Sequence, residues 1–526
     1  MKKLLILLAL TASSTAFSAQ NFVFCMEGSP TSFNPQIVTD GVSMNSSSQT
    51  IFNRLVEFKY GTTEVVPGLA ESWTVSKDRK TFTFKLRKNV PFHSNAFFTP
   101  TRNFNADDVV YTFKSQLDPK NPLSIPAANY EYFKAMELDQ LIADVKKDDE
   151  YTVSFVLKRP EAPFLADLAM DFASILSKEY SESLVKSGKG LKTLETAPIG
   201  TGPFMFKSYQ KDSAVRFKAF DKYFLGKPKI ENLVYVIVTD STVRLQKMKS
   251  GECTVMTEPQ PQDLEQIAKM PNAKLLSKEG LNVAYVAFNV EKKPFNNLKV
   301  REAVSLAMNQ KSYIDLIYRS QGVAAKNPIP PTIWSYNNST APHEYNVEKA
   351  KALLKEAGLP NGFETELWTL PVSRPYLPNG KKLGELIQAD LAKIGVKVKL
   401  ITYDWPVYLE KSKKGDHQMI QMGWTGDNGD PDNFMNVLLG CGAIKAGSNL
   451  ARWCDKEFDG LMQKAKEDAN PKVRTGFYEK AQVIFSREKP WFAVAHSKIN
   501  RVISDKVVGY KIDPFGHENF QSVDLK

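Results

Sequence analysis

From Gly423 to Phe434 the chain reads Gly-Trp-Thr-Gly-Asp-Asn-Gly-Asp-Pro-Asp-Asn-Phe. Three carboxylates, Asp427, Asp430 and Asp432, are crowded among glycines, a proline and Trp424. Gly and Pro break helix interiors and central strands, and Asp and Asn favour turns and caps. A loop that presents carboxylates beside a large aromatic ring is therefore expected, and its chemistry suits a cation. The spacing is wrong for an EF-hand and no Glu closes the twelfth position, which disfavours calcium. Asp432, just ahead of Asn433-Phe434-Met435, reads as a helix cap. The remaining candidate is an organic ammonium, which gains strength beside a carboxylate where Trp424 helps to keep water out.

A zwitterionic ligand needs an opposite pole. Trp368-Thr369-Leu370-Pro371-Val372-Ser373-Arg374-Pro375-Tyr376 supplies a lone arginine braced by prolines and aromatics, and Arg374 can fork onto a carboxylate with two hydrogen bonds. Catalytic signals are weak. The five histidines, His93, His343, His417, His496 and His517, show no i, i+4 pairing, and each reads as structural or exposed. There is no H-E-x-x-H, G-x-S-x-G, P-loop or G-x-G-x-x-G motif. An enzyme is not expected, nor is a resident metal or cofactor.

The elements that must position these groups alternate in type. Thr81–Leu86 alternates with period two and reads as a strand; residues 234–238 and 281–290 read as strands, the second crossing between domains. Asn105 followed by Asp107 and Asp108 marks a helix start. Residues 300–308, 346–357 and 383–394 read as helices, and Val396, Val398 and Leu400 as a strand after the last. Strands alternating with helices argue an α/β architecture, and 526 residues imply more than one domain.

The N-terminus carries Lys2 and Lys3, an apolar run from Leu4 to Leu10, then small residues through Ala19. This is the pattern of a cleaved secretory signal, residues 1–19, with the cut after Ser18 or Ala19. No later run reaches the roughly 18 apolar residues of a membrane helix. The precursor's net charge is +11, but its basic residues are scattered among acids, so no nucleic-acid surface is expected. Four cysteines in an exported chain favour disulfides, with three possible pairings. Proximity pairs Cys441 with Cys454, leaving Cys25 for Cys253.

Several motifs together resemble the periplasmic dipeptide-binding proteins of ABC importers, within the peptide/nickel/opine solute-binding family (family 5). They are Cys25-Met26-Glu27-Gly28-Ser29-Pro30, Asn53-Arg54-Leu55-Val56-Glu57-Phe58, Pro67-Gly68-Leu69-Ala70-Glu71-Ser72-Trp73, Asn105 to Val110, Gly200-Thr201-Gly202-Pro203-Phe204, and the Gly423–Phe434 segment itself. The resemblance implies a two-lobed clamshell of the periplasmic-binding-protein type II, with an extra subdomain at about 55–200 in the first lobe. Lobe I would hold residues 20–279 and 498–526, and lobe II residues 280–497.

It further implies that the carboxylate of Asp427 holds a dipeptide's ammonium and Arg374 its carboxylate. Pro375, Tyr376, Trp424, Thr425 and Gly426 would line the site, joined by Thr39, Asp40 and Gly41 from lobe I. Asp40 stands where the family pattern has a small or hydroxyl residue. The same disulfide pairing is implied. The expected protein is a periplasmic monomer that passes its dipeptide to inner-membrane permease subunits. A haem- or glutathione-binding sibling, or a peptide trap or chaperone, is the alternative.

Overall fold

Alternation in Thr81–Leu86 puts Phe82, Phe84 and Leu86 on one face, and the segment is a strand with those three side chains buried. The computed structural model describes residues 21–526; the expected signal segment lies outside them. Thr81–Leu86 pairs with Ala70–Val75 on one side and Thr152–Leu157 on the other, and Ile142–Asp149 completes a four-stranded antiparallel sheet. Helix Ala106–Leu117 packs against it through Phe113, whose ring meets Phe155 at 4.8 Å. Its start is as expected. Asn105 accepts from the Asp107 N–H, and the Asp108 carboxylate accepts from the Asn105 N–H.

The larger sheet carries the rest of the fold. One half runs from Phe204–Gln210 through Ala214–Ala219, Asn232–Ile237 and Asn21–Met26 to Val255–Thr257. The other runs from Lys397–Ile401 through Glu364–Trp368 and Met419–Thr425 to Asn282–Phe288. Asn282–Phe288 is buried at every residue, as a strand covered on both faces must be. One long strand, Trp491–Ser504, joins the halves. Its first residues pair with Asn282–Phe288 and its last with Ala273–Glu279 and Val255–Thr257.

The chain passes between the halves again at Gly280. Asn282 and Ser497 stitch the two passages together: the Asn282 amide donates to the Ser497 carbonyl at 2.9 Å and accepts from the Ser497 N–H at 2.9 Å. A Cβ on Gly280 would lie 2.6 Å from that carbonyl, so the close approach requires glycine. The fold is thus a two-lobed clamshell with an extra subdomain in the first lobe.

The helices expected at 300–308, 346–357 and 383–394 are Leu298–Ala307, Val347–Glu356 and Gly380–Ala392. The last starts early because the Asn379 side chain accepts from the Lys382 N–H and caps it. Both disulfides form as expected, Cys25–Cys253 and Cys441–Cys454. No described helix is long and apolar enough to cross a membrane.

Candidate functional site

Between the lobes lies a cavity lined by residues of both, the kind of concave site in which small organic ligands bind. Asp427 and Arg374 both line it, together with Thr39, Asp40, Gly41, Pro375, Tyr376, Trp424 and Thr425. Gly426 does not. Its N–H donates to the Leu281 carbonyl at 2.6 Å, and the Phe434 ring fills the space where its side chain would be.

The acidic end starts on a strand, which corrects the sequence expectation. Gly423, Trp424 and Thr425 belong to the central strand Met419–Thr425, and the loop begins only at Gly426. Gly423 is tolerated there because the Tyr376 ring takes its side-chain space, 2.1 Å from a built Cβ. Asn433 then organises the turn. Its side-chain oxygen accepts from the Asp427 N–H at 2.9 Å and from the Trp424 indole at 3.1 Å.

The Asp427 carboxylate accepts from the Tyr132 hydroxyl at 2.8 Å across the cleft. Burial pushes its carboxyl up to about 7, with Asp171 adding repulsion and Tyr132 opposing. Among the described residues no cation contacts this carboxylate directly; His517 favours its charge only from a distance, and burial outweighs it.

The basic end is a tight turn. Arg374 and Leu377 exchange backbone hydrogen bonds at 3.1 and 3.0 Å. Tyr318 and Ser497 donate to the Tyr376 and Pro375 carbonyls. Arg374 is buried, stacks 4.4 Å from the Trp405 ring centre, and donates to Glu27 at 3.1 Å. Burial pushes the Glu27 carboxyl upward, but Arg374, Arg244 and hydrogen bonds outweigh it and hold it below its ordinary value. Beside it, Glu258 accepts from Arg501 at 2.8 Å while held at φ +46°. Asp40 caps the helix Gly41–Ser46, accepting from the Ser43 N–H at 3.0 Å, and stays buried at the cavity wall.

Asp432 does not cap the following helix as expected. The helix Asp432–Leu439 follows Pro431 without a side-chain cap; ahead of it, Asp430 accepts from the Asp432 N–H at 3.0 Å and pairs with Arg474 at 2.7 Å. Asp432 is buried with neither carboxylate oxygen hydrogen-bonded.

Four histidines are structural, each bonded through a ring nitrogen to a backbone carbonyl. His517 departs from the expectation. It lines the cavity 3.2 Å from Asp171. Burial opposes its charge, but Asp171, Asp513 and Asp427 outweigh this and raise it to about 9. Glu27, Tyr132 and His517 are the site residues that sequence reasoning missed. Glu27 alone left a signal, standing directly after the buried strand Asn21–Met26.

The family model for bacterial extracellular solute-binding proteins, family 5 Middle, matches residues 64–446. The chain is 50% identical over 522 residues to the dipeptide-binding protein of Escherichia coli (strain K12), covering 99% of this chain and 97% of that one. It is 46% identical over 518 residues to heme-binding protein A of Haemophilus influenzae, covering 98% and 94%. A crystal structure of a dipeptide binding protein from Pseudoalteromonas sp. SM9913 in complex with Met-Leu matches with a TM-score of 0.94 at 38% identity, covering 96% of this chain and 100% of that one. The chain belongs to the bacterial extracellular solute-binding proteins of family 5.

Proposed function

We propose that this protein is the periplasmic component of an ABC importer that captures dipeptides by their free termini and delivers them to permease subunits in the inner membrane. Asp427 takes the ammonium and Arg374 the carboxylate. The observation that carries this reading is that these two opposite charges line one interlobe cavity. Relatives named as dipeptide-binding proteins support it.

Two poles at a set separation gauge ligand length. A longer peptide misplaces one charge, and a buried unpaired charge costs several kcal/mol. An arriving ammonium also gives Asp427 a cation in direct contact, and returns it to its charged form. Trp424 and Tyr376 wall the site, and waters in a roomy cavity adapt to different side chains. Binding and release suffice, with no chemical step.

The lobes are residues 20–279 with 498–526, and 280–497, and they close about the stitched passages at Gly280 and Ser497. Residues 1–19 direct export and are removed, and the mature protein works as a monomer. Native mass spectrometry of protein purified without added ligand tests the reading. A bound mass in the dipeptide range is expected; a bound mass outside the peptide range contradicts it.

A further inference from the structure

Away from the cavity, the lobes meet through a second buried patch crowded with carboxyls. The extra subdomain contributes Glu137, Glu161 and Asp167; the facing lobe contributes Asp430 and Asp432. Among the described residues, three buried or half-buried cations face these five acids: Arg159, Lys466 and Arg474.

Lys466 is 1% exposed and reaches across to Glu137, and the Ala162 N–H donates to its carbonyl at 2.6 Å. Arg474 is committed to Asp430, with Tyr478 alongside. Arg159 stands 3.4 Å from Glu137, 3.6 Å from Glu161 and 3.8 Å from the more exposed Glu467. Asp167 accepts from the Asn428 amide across the boundary at 3.1 Å. Both oxygens of Asp432 and one of Glu161 are buried without a hydrogen bond. Fully ionised, these five acids outnumber the three cations by two in a largely buried interface, an unfavourable state.

We propose that this patch is a proton-linked latch: closing the lobes loads protons onto the Glu161, Asp167 and Asp432 group, so ligand affinity rises as the surroundings acidify. The inference rests on the reading that the lobes close about a dipeptide. In the closed form burial is the largest influence on each acid. It pushes Glu161 up to about 8 and Asp432 to about 7, Lys466 opposing both. Asp167 is also raised, by burial and then by Asp432 and Glu161.

With the lobes apart, the same carboxyls face water and titrate near the ordinary value of about 4. Between those limits the closed form binds more protons than the open form. Affinity therefore falls about tenfold per pH unit for each proton taken up, and the dependence disappears above the closed-state values.

Calorimetry of Ala-Ala binding at pH 6, in two buffers of different ionisation heat, counts the protons directly. Uptake of at least about half a proton is expected, reduced in Asp432→Asn and in Glu161→Gln. Both variants lie outside the ligand cavity and should still bind Ala-Ala, with an affinity that falls less steeply between pH 5 and 7 than that of the unaltered protein. Any proton release by Asp427 is common to all three proteins and cancels in the comparison. No uptake by the unaltered protein, or the same uptake in both variants, overturns the latch while leaving the dipeptide reading intact. Failure to bind Ala-Ala at any pH overturns both.

Discussion

Glu27 and Arg374 meet across the cleft, Glu27 Oε1 lying 3.1 Å from Arg374 Nη1. They come from opposite halves of the large sheet, so the contact exists only where the lobes approach. It occupies one arm of the guanidinium. The Tyr376 side chain stands close to the guanidinium, but among the described residues Glu27 is its one carboxylate partner, and the residue lines the cavity. Arg374 is thus half paired, held flat on Trp405, with a fork left for an incoming carboxylate.

Removing that fork should be costly. Arg374→Ala is expected to weaken Ala-Ala binding by roughly a hundredfold or more, since truncating one partner of a buried charge pair costs about 2–5 kcal/mol. Arg374→Lys should recover part of the affinity, because a point charge replaces the fork. Calorimetry checks both, and unchanged affinity in the alanine variant would move the carboxylate pole elsewhere.

At the other end, Tyr132 donates to Asp427 from the opposite lobe. Tyr132→Phe removes one hydrogen bond to a charged group without changing the ring. A loss of about 1.5–3 kcal/mol, roughly ten- to hundredfold in affinity, is expected. Fluorescence titration with Ala-Ala reads it directly.

Gly423 separates packing from charge. In Gly423→Ala the new methyl would overlap the Tyr376 ring, forcing that ring toward the cavity and straining a central strand. A stability loss of about 1–3 kcal/mol and at least tenfold weaker binding are expected, from denaturant titration and calorimetry. Unaltered binding would show that Tyr376 does not shape the site.

Asp427 and Arg374 were legible as residues of the cavity because their neighbours are unusual. Glycines, prolines and aromatics around Asp427 and Arg374 declare rigid, non-helical backbone. Strand and helix identity followed from apolar period and caps, as at Asn105 and Asn346. Long-range partners were not legible. Tyr132 stands 295 residues before Asp427, and nothing in its local pattern marks it. The misreading of Asp432 as a cap has the same origin: local rules allow it, but the distant Arg474 holds Asp430 where it accepts from the Asp432 N–H. Gly423 was misread because strand propensity penalises glycine, while a tertiary neighbour, Tyr376, required it.

His517 gives a stability prediction with a definite sign. Its pair with Asp171 raises the imidazole from 6.5 to about 9 and lowers the Asp171 carboxyl. A raised folded value gives stability that is complete below about pH 6.5 and is lost as pH rises through 9; that shift corresponds to about 3 kcal/mol. The lowered Asp171 carboxyl contributes above pH 4 and loses its contribution only in strong acid. Denaturant titrations should therefore show the gap between the unaltered protein and His517→Gln at its widest near pH 4–6.5, narrowing by pH 9. A gap independent of pH would contradict the charged pair.

The central claim is that the ligand is recognised by its two free ends. Paired calorimetric titrations of Ala-Ala and N-acetyl-Ala-Ala at fixed pH test it most directly. Acetylation removes the ammonium and leaves Asp427 without its cation. The expected loss is about 3–5 kcal/mol, more than a hundredfold in affinity. Equal binding of the two peptides would contradict the account.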